Sequence, residues 1–177
     1  HMQMSKSGVF AHFGSREDLQ LAVLKEYVRR FVDEVLRPAV KKPRGLLRLE
    51  AIADRWVAFL ARELTRGCIM IAGAVEYDDR PGPIRDCVIA NQRRGSALSE
   101  KAVRLAIEEG HLNPGTDPEQ IAFEMLGIVL ASHNHRRLLG DRETRKRALT
   151  AFAELVARHA APARPQIANR CSTPIKR

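Results

Sequence analysis

Met4-Ser-Lys-Ser-Gly-Val-Phe-Ala-His-Phe-Gly-Ser-Arg-Glu-Asp-Leu-Gln-Leu-Ala-Val-Leu24 reads as a short helix, a sharp stop and the start of a longer helix. Ser5 offers a hydroxyl to the free amides of a first turn, the usual task of an N-cap. Val9 and Phe13 lie four residues apart and share one face, while Lys6 and Phe10 share another, with Ser7 beside them. Gly14 suits a left-handed C-terminal stop. Ser15 then caps a second helix, with Asp18 three residues on in the capping position. A short helix with a small, polar, basic outer face, braced by a capped long helix, is how a major-groove reader is built.

Outward from this stretch the chain is helical throughout. Over 15–36 the apolar residues Leu19, Val23, Tyr27, Phe31 and Val35 predict one stripe on a long amphipathic helix, which Pro38 stops. Residues 37–45 (RPAVKKPRG) read as a basic connector. The next helix, 46–65, carries Leu49, Ile52, Ala53, Trp56, Val57, Leu60 and Leu64 on one face, and Gly67 ends it. Residues 68–75 (CIMIAGAV) have the length of a buried strand, but without a second strand to pair they predict a short buried helix. After the break at 78–83, a helix over 83–109 turns Ile84, Val88, Gly95, Leu98, Ala102 and Leu105 inward. Its polar middle, 92–96, predicts a kink or wide bend.

A turn cluster at 110–117 leads into Asp117-Pro118, a cap followed by proline at the first helical position. From Ile121 to Leu130 the helix that follows is apolar nearly all round, so its own core covers one side and a second molecule another. Gly127 and Ala131, four apart, allow close helix approach. Gly140-Asp141 turns the chain into a last helix with Leu149, Phe152, Leu155 and Val156 inward. The tail, 162–177, is basic and proline-bearing and reads as disordered. The expected fold is all-α, a helical bundle of about seven helices.

Composition narrows the function. Hydrophobic residues make up 45% of the 177, enough for a proper core. The net charge of +9 is not spread evenly: residues 67–161 balance, and the excess lies at the two ends. A basic N-terminal part suits phosphate contact, although it equally describes a solvated surface. Cys68, Cys87 and Cys171 are odd in number and lack metal-ligand spacing, which fits reduced thiols in a cytoplasm. No membrane span, secretory leader, phosphate-binding glycine loop or nucleophile-base pair is visible, so neither a membrane protein nor an enzyme is expected, and no cofactor. His133 and His135, two apart on a helix, point to different sides and do not chelate one metal. His133 instead lies at the edge of an apolar wall, where a polar group orients a ligand. Cys68, in apolar surroundings, reads as an inert thiol.

The opening stretch resembles the end of the helix-turn-helix of the TetR family of bacterial transcriptional regulators, whose pattern runs roughly V-S-x-x-x-L-Y-x-H-F-x-S-K-E-x-L. His12, Phe13, Ser15, Glu17 and Leu19 match, whereas Met4, Phe10 and Arg16 replace the usual Val, Tyr and Lys. The resemblance implies a DNA-binding set of Ser5, Lys6, Ser7, Gly8, Phe10, His12 and Arg16, in which Lys6, Ser7 and Phe10 read bases, Gly8 and His12 contact the backbone, and Arg16 contacts a phosphate. Phe10 keeps apolar contact but loses the hydroxyl. In the family two helices precede this motif. Here only His1-Met2-Gln3 does, and His-Met resembles a tag remnant. The expectation is a chain cut short or a start assigned too late.

The resemblance further implies a ligand cavity among the later helices, with Trp56, Phe59, Met70, Val88, Phe123 and Leu126 as candidate lining residues beside His133. Any one of them also fits plain core packing. The expected organisation is a partial helix-turn-helix at 1–36, a ligand-binding and dimerisation domain at 37–161 and a tail at 162–177. The expected function is a cytoplasmic, homodimeric, ligand-responsive regulator, joined through its last two helices. It would act as a repressor released from operator DNA by a small, mostly apolar effector. The competing reading is a helical ligand-binding or interaction module that does not bind DNA.

Overall fold

The computed structural model describes residues 13–63 and 67–162. Among them every regular element is helical, and the isolated bridge between Leu112 and Ala160 is the one β-type pairing. Helix α1 spans Arg16–Phe31 and passes through a π-helical turn, Val32–Leu36, into the short α2, Arg37–Val40. Then come α3 (Leu46–Glu63), α4 (Ile69–Glu76), α5 (Pro83–Glu108), α6 (Pro118–Arg137) and α7 (Thr144–Arg158). The all-α bundle expected from the sequence is the fold observed. No helix among the described residues is long and apolar enough to cross a membrane.

The start of α1 follows its local chemistry. Gly14 sits at φ +81°, the left-handed stop. The Ser15 hydroxyl accepts from the Asp18 backbone N–H at 3.0 Å and donates to the Asp18 carboxylate at 2.6 Å. The end of α1 departs from expectation, because Pro38 does not stop the helix. The wider π turn lets the Arg37 N–H reach back five residues to the Val32 carbonyl. Proline normally clashes with the carbonyl four residues back, and the π turn opens the backbone there. The expected boundary between 36 and 37 therefore falls inside a continuous helical run. The buried face of α1 also differs: Leu24, Tyr27 and Val35 are buried, while Val23 is exposed. A strict repeat of four overshoots the 3.6-residue turn, so the stripe moves off Val23 onto its neighbour.

Three apolar clusters hold the bundle. The largest joins Leu49, Ile52 and Ala53 of α3, Val103 and Ala106 of α5, Ile121 and Met125 of α6, and Phe152 and Leu155 of α7. The second joins Tyr27, Val35, Phe59, Leu60, Cys68 and Val129. The third is smaller, with Leu24, Ile84 and Val88 between α1 and α5. Helix α6 enters two of them, through Met125 and through Val129 one turn later. Asp117 caps it by accepting from the Glu119 and Gln120 N–H groups, and Pro118 opens its first turn.

Two other expectations are corrected. Helix α5 runs unbroken through 92–96, and its inward face is Ile84, Val88, Ser99, Ala102, Val103 and Ala106, with Leu98 exposed. Helix α4 is not buried all round: Gly73 and its N-cap Cys68 are buried, but Val75 is 73% exposed. A one-sided contact with α5 and α1 is enough to hold eight residues. At Gly45, φ is +89°, and an added Cβ would collide with the His111 ring, whose Nδ1 accepts from the Leu46 N–H at 3.3 Å. Replacing Gly45 by alanine is expected to destabilise the fold by more than about 1 kcal/mol, through both the left-handed backbone and the clash. Phe59, wholly buried, is expected to cost about 3–5 kcal/mol when cut to alanine. Urea unfolding monitored by helical circular dichroism reads both.

Candidate functional site

The second cluster is built from aromatic rings that two helices bring together. Tyr27 and Phe31 lie one turn apart on α1, and Trp56 and Phe59 lie three residues apart on α3. Their rings meet edge to face: Tyr27 with Phe59 at 5.3 Å between centroids, and Phe31 with Trp56 and with Phe59 at 5.5 Å. This is the favoured geometry for aromatic quadrupoles. The Arg30 guanidinium stands 5.8 Å from the centre of the Phe59 ring.

A chain of polar atoms runs along the edge of this cluster. The Tyr27 hydroxyl and the Cys68 thiol are 2.8 Å apart. The Cys68 backbone N–H donates to His133 Nε2 at 3.5 Å, tying the start of α4 to α6. An accepting Nε2 means a neutral imidazole with its proton on Nδ1. Burial, and secondarily the charge of Arg137, lowers the His133 pKa from its usual value and so favours that neutral form.

Of the residues the sequence nominated, Trp56, Phe59 and Met70 gather at this cluster, and His133 meets it through Cys68. Val88 belongs to the neighbouring third cluster, and Met70 packs against both. Leu126 is half-buried on α6. Phe123 is 72% exposed, facing away from the interior, so it lines no cavity within this chain. Tyr27, Phe31 and Cys68 were missed as site residues; the recurrence of aromatic residues on α1 was the signal that could have found the first two.

A concavity of about 330 Å³ does exist, but it lies elsewhere, between α4 and α5. Its floor is Gly73, Ala74, Tyr77, Val88 and Ile89, and Asp78, Arg85, Gln92 and Arg93 form its rim. Val88 alone among the nominated residues lines it. A second, more open hollow of about 570 Å³ lies along α7, between Arg142 and Ala153. Among the described residues, no group of three or more His, Cys, Asp or Glu side chains is placed to hold a metal ion.

Of the residues nominated to contact DNA, Arg16 is exposed at the first position of α1. The other nominated positions, Ser5, Lys6, Ser7, Gly8, Phe10 and His12, lie outside the described residues.

Residues 45–152 match the model of the tetracyclin repressor-like C-terminal domain. The chain belongs to the tetracyclin repressor-like, or TetR, family. Solved structures agree in fold. A TetR-family regulator from Streptomyces coelicolor superposes with a TM-score of 0.75 at 17% identity, over 89% of this chain and 79% of that one. The ketosteroid transcriptional regulator of Mycobacterium tuberculosis gives 0.71 at 14%, over 90% and 80%. AibR, solved with isovaleryl coenzyme A and operator DNA, gives 0.67 at 22%, over 90% and 83%. No curated protein sequence matches this chain.

The lowered pKa of His133 makes a signed prediction. Well above the ordinary histidine range both folded and unfolded states are neutral there, and pH has no effect through this group. As pH falls through that range the unfolded state takes up the proton first, so stability drops. Between about pH 7 and about pH 5 the native protein is therefore expected to lose more thermal stability than His133→Gln, which keeps an acceptor but does not titrate. Equal losses in the two would show that His133 is not held neutral.

Proposed function

We propose that this TetR-family chain is a ligand-responsive transcriptional regulator that binds operator DNA as a homodimer and represses until an effector binds. The observation that carries the reading is the join at α1. The family's C-terminal domain is entered through the helix whose capped start follows directly on the recognition-like motif. A displacement of α1 relative to the bundle is then a displacement of the reading motif. Effector binding favours a spacing of the two recognition helices that no longer fits successive major grooves. AibR, with its acyl-coenzyme A and operator, supports both halves of this reading. The apolar floor of the concavity between α4 and α5 suits an effector that is mostly apolar with few hydrogen-bonding groups.

The dimer is read from the outer face of α6. Ile121, Ala122, Met125 and Val129 turn inward, while Phe123, Gly127, Leu130 and Ala131 lie outward. An added Cβ at Gly127 meets nothing within 4 Å, so another helix can approach closely there. On α7, Ala153 and Ala157 are likewise small and exposed. Two copies of this helix pair form a four-helix interface about a two-fold axis. Phe123→Glu and Gly127→Glu are each expected to convert a dimer into a monomer at micromolar concentration in sedimentation velocity. Val129 faces the core, so a charge there would unfold the chain instead. A monomer for the unmodified chain would overturn the assembly.

DNA binding is tested by selecting genomic fragments with this chain. It is expected to retain selected duplex, with affinity falling steeply between roughly 50 and 200 mM salt as for phosphate contacts. Lys6→Ala and Arg16→Ala are each expected to reduce the salt slope by about one. If the protein retains no duplex, the regulator reading fails.

A further inference from the structure

We propose that the groove between α4 and α5 is a binding site for a small amphipathic monoanion, an apolar body carrying one carboxylate or sulfonate. Its effect would pass to α1 through Tyr77.

The groove differs from the aromatic cluster in that it is open. In the cluster the rings meet at 5.3–5.5 Å between centroids, whereas about 330 Å³ lies between α4 and α5, within the range of small-ligand sites of roughly 300–1,000 Å³. Gly73 lets the helices come close: an added Cβ would stand 3.3 Å from a Val88 methyl, which would have to give by a few tenths of an ångström. Ala74, Val88, Ile89 and the Tyr77 ring then give an apolar floor.

The rim supplies the charge. Arg85, Ile89, Gln92 and Arg93 recur at helical spacing and so share one strip of α5. Arg85 donates its Nε–H to the Asp78 carbonyl at 2.9 Å, which fixes the side chain and leaves its two terminal amino groups available. Among the described residues, neither Arg85 nor Arg93 has a carboxylate within ion-pair distance. Two cations against the single carboxylate of Asp78 leave one positive charge, matched by a monoanion and by neither a cation nor a neutral oil. A guanidinium fork suits carboxylate or sulfonate oxygens.

Tyr77 connects the groove to the rest of the molecule. One side of its ring lines the groove, and its hydroxyl accepts a 3.0 Å hydrogen bond from Gln20 Nε2 of α1, fifty-seven residues away. Gln20 lies one turn past Arg16 at the start of the helix that follows the recognition-like motif. A ligand that presses on the ring therefore acts on the end of α1 nearest the motif. The regulatory meaning rests on the function proposed above; the binding site does not.

The test uses two fluorescent probes that share an aromatic body, anilinonaphthalene sulfonate and the uncharged N-phenylnaphthylamine, with the full chain. The expected result is saturable sulfonate binding, weakened at least tenfold by the double change Arg85→Ala and Arg93→Ala, with the neutral probe changed less than twofold. Ala74→Trp, which fills the floor, is expected to abolish both. Circular dichroism confirms that each variant folds. Unchanged sulfonate affinity in the arginine variant, or retention of both probes by Ala74→Trp, overturns the site. For the link, bound sulfonate is expected to change amide hydrogen exchange at the start of α1, and Gln20→Leu, which removes the donor to Tyr77 and lies outside the groove, is expected to bind normally but lose that change. An α1 that does not respond in the native protein overturns the link. Neither arm uses DNA, so failure here and failure of the regulator reading are separate results.

Discussion

The packing of α6 through two adjacent turns, Met125 into one apolar cluster and Val129 into the next, is the contact on which the rest of the molecule depends. The first cluster draws α3, α5 and α7 around it, and the second draws in α1 and the start of α4. Because each buried aliphatic side chain contributes about 1.5–3 kcal/mol, these inward residues outweigh any polar contact on the helix. With one side of α6 committed to two clusters, no helix among the described residues covers Phe123 or Leu130. The assembly proposed above would cover that outer face.

The same bookkeeping explains what holds α1. Its surface carries a network of ion pairs, Arg29 with Glu26 and Asp33, Arg37 with Asp33, and Arg62 with Glu34. These side chains are largely solvent-exposed, and such pairs are worth about 0–1 kcal/mol each, less in salt. The aromatic contacts of Tyr27 and Phe31 with Trp56 and Phe59 bury far more. They hold the middle and end of α1, whereas near its start Gln20 makes a polar contact with Tyr77. The helix is thus held along its length, by the aromatic rings at the bundle end and by Leu24 against Ile84 and Val88 nearer its start. The π turn ahead of Pro38 belongs to the bundle end.

What the sequence revealed and what it hid follow from range. Caps, stops and turns are local: Gly14, Ser15, Asp117-Pro118 and Gly140 each act within a few residues, and all appeared as read. The all-α architecture followed from helical periodicity between those signals. The π turn was not legible, because it depends on how a proline is accommodated and leaves no spacing signature. The exposed outer face of α4 was hidden for another reason: CIMIAGAV is apolar on every side, and only tertiary placement shows which side faces water. The site was legible in part. Trp56, Phe59 and Met70 do come together, but their company with Tyr27 and Cys68 spans forty residues and more. The groove was not legible, since it depends on a glycine facing a valine across two helices.

The central claim is that two copies, joined across the outer face of α6, present two reading motifs to one duplex. Hydroxyl-radical footprinting on a selected genomic fragment tests it most directly. The account predicts two symmetric protected half-sites, with centres separated by about one helical turn, roughly 10 base pairs, or a multiple of it. It further predicts that Phe123→Glu loses both half-sites together. A single asymmetric footprint, retained by the Phe123→Glu protein, would contradict it.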